Sequence, residues 1–314
     1  MLGKTANGLT WMARYIERAE NMTRLIEAGA RMSLTRQGRA EAEWNGILTA
    51  AGAGVAYKAR HGERVTAQTA TDFLLRDPSN PGNVMVSVEM ARTNARTVRT
   101  AITREVWEAA NDAYLDLKDA LREPVEPEDL PDMLARIRRH GALIRGTFGG
   151  TMLRNEIYDF SSVGTYLERV DATARMLDVK YFVLLPKDAE VGDELDLAQW
   201  EQLLRSFGVN RAFLMVHGTE YAAATVGHFL ILDKRMPRSI AHCVSMAARH
   251  LEALETAFGR RTPAHESIQA LRTRIANLTI DTIIADGLHE FLEGVISETI
   301  GISNDVAAAY RFTE

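Results

Sequence analysis

The sequence predicts an all-α protein, a helical bundle built from two duplicated halves related by a pseudo-twofold. Three observations carry this. Long stretches have apolar residues at helical spacing, strand-like alternation is missing, and glycine and proline punctuate sparsely. In addition, "YIERAENMTRLIEA" (Tyr15 to Ala28) returns as "YLERVDATARMLDV" (Tyr166 to Val179).

The periodicity predicts helices at about 8–34, 42–56, 66–76, 81–121, 131–148, 155–186, 196–208, 219–232, 237–258 and 264–310, several of them containing breaks. In the first, Met12, Ala19, Met22 and Ile26 share the Tyr15 side of a helical wheel. Glu17, Glu20, Arg24 and Glu27 fall on the far side, and Arg18 sits at the margin of the stripe. Asn80 is placed to cap the fourth helix, with Pro81 at its first position. That helix carries Val88, Ala91, Ala95, Val98, Ile102 and Val106 on one face and an arginine ridge, Arg92, Arg96 and Arg99, beside it. "REPVEPEDLP" (122–131) has three prolines and four acids and reads as a solvated connection. In 155–186, Val163, Val170 and Leu177 form the stripe, and Arg169 repeats the marginal place of Arg18.

The echo extends further. At an offset of 151, Tyr15, Glu17, Arg18 and Arg24 match Tyr166, Glu168, Arg169 and Arg175. At 156, Trp44, Gly52, Phe73, Asp77 and Pro81 match Trp200, Gly208, Phe229, Asp233 and Pro237, with the extra residues around "PKDAEVGDE". The reading is one domain over 1–314, with internal repeats 1–150 and 151–314.

Composition bounds the function. The chain has 314 residues, 46% of them hydrophobic, enough for a sizeable core. A net charge of -5 argues against general nucleic-acid binding. Arginines are 31 of the 37 basic residues, which favours ion pairs and forked contacts to anions. The lone Cys243 excludes an internal disulfide and a cysteine-based zinc site, and reads as a small buried residue. The histidines form no ligand set and Glu-x-x-His is missing, so no metal or cofactor is expected. With neither a bilayer-length apolar run nor a signal-peptide core, a cytoplasmic location without membrane contact is expected.

The Glu-Arg repeat admits two readings. In the structural one, Arg18 pairs with Glu168 or Asp171, and Arg169 with Glu17 or Glu20, across the pseudo-twofold. In the functional one, the same arginines converge as a forked anion site. The Arg92/Arg96/Arg99 ridge is either a solvated basic face or a contact for something acidic.

"WMARYIERAENMTRLIEA", "ARTNARTVRTAITREVWEAAN" and "MLRNEIYDFSSVGTYLERVDATARMLDVKY", with "DPSNP" and "MPRSIAHC", resemble the bacterial alpha-E domain family. The resemblance covers essentially the whole chain. It implies a helical domain whose signature polar residues here are Glu17, Arg18, Arg24, Glu168, Arg169 and Arg175, with Arg92, Asn94, Arg96, Arg99 and Arg154. It also implies the company of circularly permuted ATP-grasp ligases and transglutaminase-like peptidases. The expected role is that of an accessory protein to an amide (peptide) ligase system, binding or presenting a peptide or acidic amino-acid substrate. The alternative is an enzyme of peptide or amide metabolism, with Glu17 or Glu168 as acid–base between the halves.

Overall fold

The structure, a computed structural model, describes residues 3–35, 40–184 and 194–312; most of "PKDAEVGDE" lies outside them. The described residues hold α-helices and turns and no strand. The first half contains α1 (Gly3–Thr35), α2 (Ala40–Ala50), α3 (Gly54–His61), α4 (Ala67–Leu75), α5 (Val84–Thr97), α6 (Arg104–Ala120) and α7 (Leu130–Thr151). The second contains α8 (Glu156–Leu184), α9 (Glu194–Phe207), α10 (Asn210–His217), α11 (Ala223–Gly227), α12 (Ile240–Phe258), α13 (Pro263–Ala276), α14 (Ile280–Asp286) and α15 (Leu288–Ala309). A π-helical turn, His228–Leu232, continues α11.

Polar caps decide several boundaries. Asn80 does not cap α5. It is buried, donating to the Phe73 carbonyl at 3.1 Å and accepting from Gly82 N at 2.9 Å within a turn. Asn83 caps instead, accepting from Val86 N at 2.7 Å. The single helix expected over 81–121 is two, because Thr103 starts α6 by accepting from Val106 N. The long helix expected over 264–310 is three, broken at the Thr279 cap and at Gly287, whose φ is 109°. The helix expected over 42–56 is likewise split, after Gly52 with φ 67°. Helix α10, absent from the sequence expectation, lies between Gly208 and Gly218, both at positive φ.

Helices α1 and α8 cross at the centre. Around them the contacts match: α5 packs on α1 and α12 on α8, α7 on α1 and α15 on α8, while α2 and α9 each touch both central helices. Helices α3, α4 and α5 start at Gly54, Ala67 and Val84, and α10, α11 and α12 start at the positions an offset of 156 predicts, Asn210, Ala223 and Ile240. Local packing follows the same match. Tyr57 stacks on His61 and meets Phe73 edge-on, as Phe213 does with His217 and Phe229. Trp44 and Trp200 are both buried.

The expected stripes of both central helices are buried: Met12, Ala19, Met22 and Ile26 in α1, and Val163, Val170 and Leu177 in α8. So is the apolar face from Val88 to Val106. The far face of α1 is buried as well. With α2, α5, α7, α8 and α9 packed around it, Glu17 and Glu20 are 1% and 2% exposed.

Candidate functional site

The centre of the molecule is a group of ion pairs between α1 and α8. Glu168 receives Arg18 through two bonds, Nε at 2.6 Å and Nη2 at 3.1 Å, and Arg14 Nε at 2.8 Å. Reciprocally, Glu17 receives Arg169, Nε at 3.0 Å and Nη2 at 2.8 Å. Each Glu-Arg dipeptide thus meets the other across the helix crossing, as the structural reading of the repeat expects. Arg18 and Arg169 are more than half buried, with side chains 31% and 12% exposed. Both lie beside aromatic rings, Tyr15 and Tyr166.

Two further arginines join the group from other elements. Arg238, from the turn before α12, donates to Glu17 at 2.9 Å, to Asn21 at 3.2 Å and to Glu20 at 2.6 Å. Arg145, from α7, contacts Glu20 directly and stands 3.7 Å from Glu17. Neither was singled out in the sequence. The segment "MPRSIAHC" contains Arg238, but the matched position in the first half is Gly82, so the repeat gives no signal for it. Arg145 lies on a helix outside the matched segments.

The other candidates are distributed. Arg24 bonds Glu20 at 2.7 Å and closes the C-terminus of α9 through the Ser206 and Phe207 carbonyls. Arg175 holds Asp171 within α8. Arg154 closes the end of α7 at the Gly149 and Met152 carbonyls and lies 3.9 Å over Tyr158. Arg92 donates to Asn111 and covers Tyr114, Arg99 covers Trp107, and Asn94 bonds the Met90 carbonyl within α5. Arg96 and Arg99 are exposed, as the solvated-face reading expects. This ridge takes no part in the central ion pairs.

Electrostatics keep the central glutamates ionised. Burial raises the Glu17 carboxyl, but Arg169, Arg238 and Arg145 outweigh it and hold the group far below the usual range. Glu168 is lowered by Arg14 and Arg18 against the same burial. Glu20 is lowered by Arg238, Arg145 and Arg24 against burial and the neighbouring Glu17. Burial and Arg238 bring Arg24 down to about 10. Burial pushes the Cys243 thiol, beside Arg169, up to about 12, so it stays an unreactive, protonated core residue.

A pH dependence follows. Because the folded pKa values of these glutamates lie below the unfolded value of about 4.3, the unfolded chain binds more protons in acid. Their stabilisation is complete above that value and is lost progressively below it, as pH falls toward the folded values. The melting temperature should therefore hold to about pH 5 and drop steeply below about pH 4. Glu17→Gln, followed by circular dichroism across that range, should flatten the drop; an unchanged slope would remove Glu17 from the linkage.

Beside the ion pairs, α1, α7 and α8 enclose a pocket of about 170 Å³. Arg145 and Arg169 reach it, together with Phe148, Tyr158, Ser162 and Tyr166. Among the described residues no group of three or more His, Cys, Asp or Glu could hold a metal ion, and no helix is long and apolar enough to cross a membrane.

A family model, Alpha-E, described as a predicted alpha-helical domain with a conserved ER motif, matches residues 1–310. The chain is 25% identical, over 99% of its length, to an uncharacterized protein of Mycobacterium bovis and to two of Mycobacterium tuberculosis. It spans 37% of the length of each of those relatives. No solved structure matches the chain.

Proposed function

The chain belongs to the Alpha-E family, and on that premise we propose that it is a non-catalytic partner of an amide-bond-forming ligase of the circularly permuted ATP-grasp type. It would act beside a transglutaminase-like peptidase and bind or present a peptide or amide-linked substrate. The observation that carries the non-catalytic half of this reading is the occupation of the carboxylates. Acid–base chemistry at Glu17 or Glu168 needs a carboxylate oxygen open to a pocket and a pKa near the working pH. Both oxygens of each accept from guanidiniums, and both groups are held below the usual range. The arginines are engaged equally. Arg18 and Arg169 grip protein carboxylates, which argues for a rigid scaffold at the centre and a ligand beside it. The partner half of the reading comes from the family resemblance; the mycobacterial relatives, which hold the matched segment within longer chains, fit a module that works next to others. The same reading takes 1–150 and 151–314 as copies of one unit, supported by the matched helix starts and the matching contacts of the two halves.

Co-expression with a circularly permuted ATP-grasp ligase of the same organism, followed by affinity purification and a turnover assay, tests the proposal. Co-purification with a higher ligase rate, and no turnover by the isolated chain, is expected. Failure to co-purify with a ligase rate indifferent to the chain would refute it.

A further inference from the structure

We propose that the pocket between α1, α7 and α8 binds the carboxylate end of an N-acylated apolar amino acid, such as the C-terminus of an amide-linked product. The inference rests on the reading of this protein as a binder and names what is bound. Three features of the pocket select this class.

The first is an anion-seeking donor. The central ion pairs join six guanidiniums, of Arg14, Arg18, Arg24, Arg145, Arg169 and Arg238, to three carboxylates. The excess is positive, and Arg145 carries it to the pocket. Only Nη1 of Arg145 meets Glu20 and Glu17; its Nε and Nη2 make no hydrogen bond among the described residues. Ser162, Tyr158 and Tyr166 also line the pocket, and their hydroxyls make no hydrogen bond among the described residues. A carboxylate accepts from a guanidinium fork and hydroxyls together.

The second is an apolar remainder. Ile144 and Phe148 line the same space, with Phe148 stacked on Tyr158 at 5.2 Å, so the body of the ligand meets hydrocarbon and ring. The third is the missing partner for an amine. Glu17 is the acid in the pocket wall, and both its oxygens already accept from arginines. A free amino acid would bring its ammonium beside Arg145 and Arg169 with no carboxylate to receive it. An acylated nitrogen carries no such charge.

Isothermal titration of the full chain with N-acetyl-L-leucine, N-acetyl-L-leucine amide and L-leucine tests this. The acid should bind, and the amide and the free amino acid should each bind at least about tenfold more weakly. Arg145→Gln should lower affinity for the acid by about tenfold or more. Ser162→Leu, which fills the pocket without touching the ion pairs, should abolish binding while leaving the far-ultraviolet circular dichroism native. No heat with the acid up to about 10 mM, equal affinity for acid and amide, or undiminished binding by Ser162→Leu would overturn the proposal. The isolated chain suffices, so binding here with no ligase association would defeat the partner reading alone, and the converse would defeat this one alone.

Discussion

Glu17→Ala is expected to lower folding stability by about 3–5 kcal/mol, the range for removing one partner of a buried ion pair. Glu17 is 1% exposed and holds both Arg169 and Arg238, so its loss strands the Arg169 guanidinium away from water and leaves Arg238 only Glu20, shared with Arg24 and Arg145, and Asn21. Attraction between the charges is not the main term, because their desolvation offsets much of it. The cost lies in the orphaned Arg169 and in the charge left unbalanced at Arg238. It follows that Glu17→Leu with Arg169→Leu should be less destabilised than the sum of the two single changes, by about 1–3 kcal/mol. Urea denaturation at pH 7 measures all three. Additive single effects would mean that the pair does not interact. Arg104→Ala, which breaks an exposed pair with Glu108, serves as the control and should leave the urea midpoint nearly unmoved.

Gly164→Ala should cost about 1–3 kcal/mol by overpacking, and Gly164→Val more. A Cβ at Gly164 would lie 2.4 Å from the Thr10 carbonyl oxygen and 3.1 Å from its carbon, so α8 must move away from α1. The obstacle is backbone, which cannot turn aside as a side chain does. Thr10 also reaches the Phe160 carbonyl at 3.3 Å, marking the tight crossing that brings the two Glu-Arg dipeptides into register. The same urea experiment reads this variant. A wild-type midpoint would show that the helices are not in backbone contact there.

The crossing of α1 and α8 was legible in the sequence because an arginine at the edge of an apolar stripe needs an acid, and the echoed Glu-Arg segment offers one on the other helix. The wheel put Glu17 and Glu20 on the side of α1 away from the apolar stripe, and that side is buried too, because α1 packs it against arginines from other elements. Those arginines, Arg145 and Arg238, are the part the sequence hides: they reach the centre from α7 and from a turn, without helical spacing or a repeated counterpart. The splitting of long helices was foreshadowed locally, by Thr103, Thr279 and Gly287, but periodicity carries across such points when the face stays apolar. Arg24 and Arg154, signature residues by resemblance alone, close the ends of α9 and α7, a use of the guanidinium fork that the sequence did not signal.

The central claim, that the Glu-Arg core is a closed and fully ionised scaffold with its ligand beside it, is tested most directly by titrating the glutamate side-chain carboxyls with carbon-13 nuclear magnetic resonance. Glu17→Gln and Glu168→Gln assign the two signals. Both carboxyls should stay ionised from neutral pH down past the ordinary value of about 4.3 until the protein unfolds. A midpoint for either near pH 6–7 would mark a poised acid–base group and contradict the account.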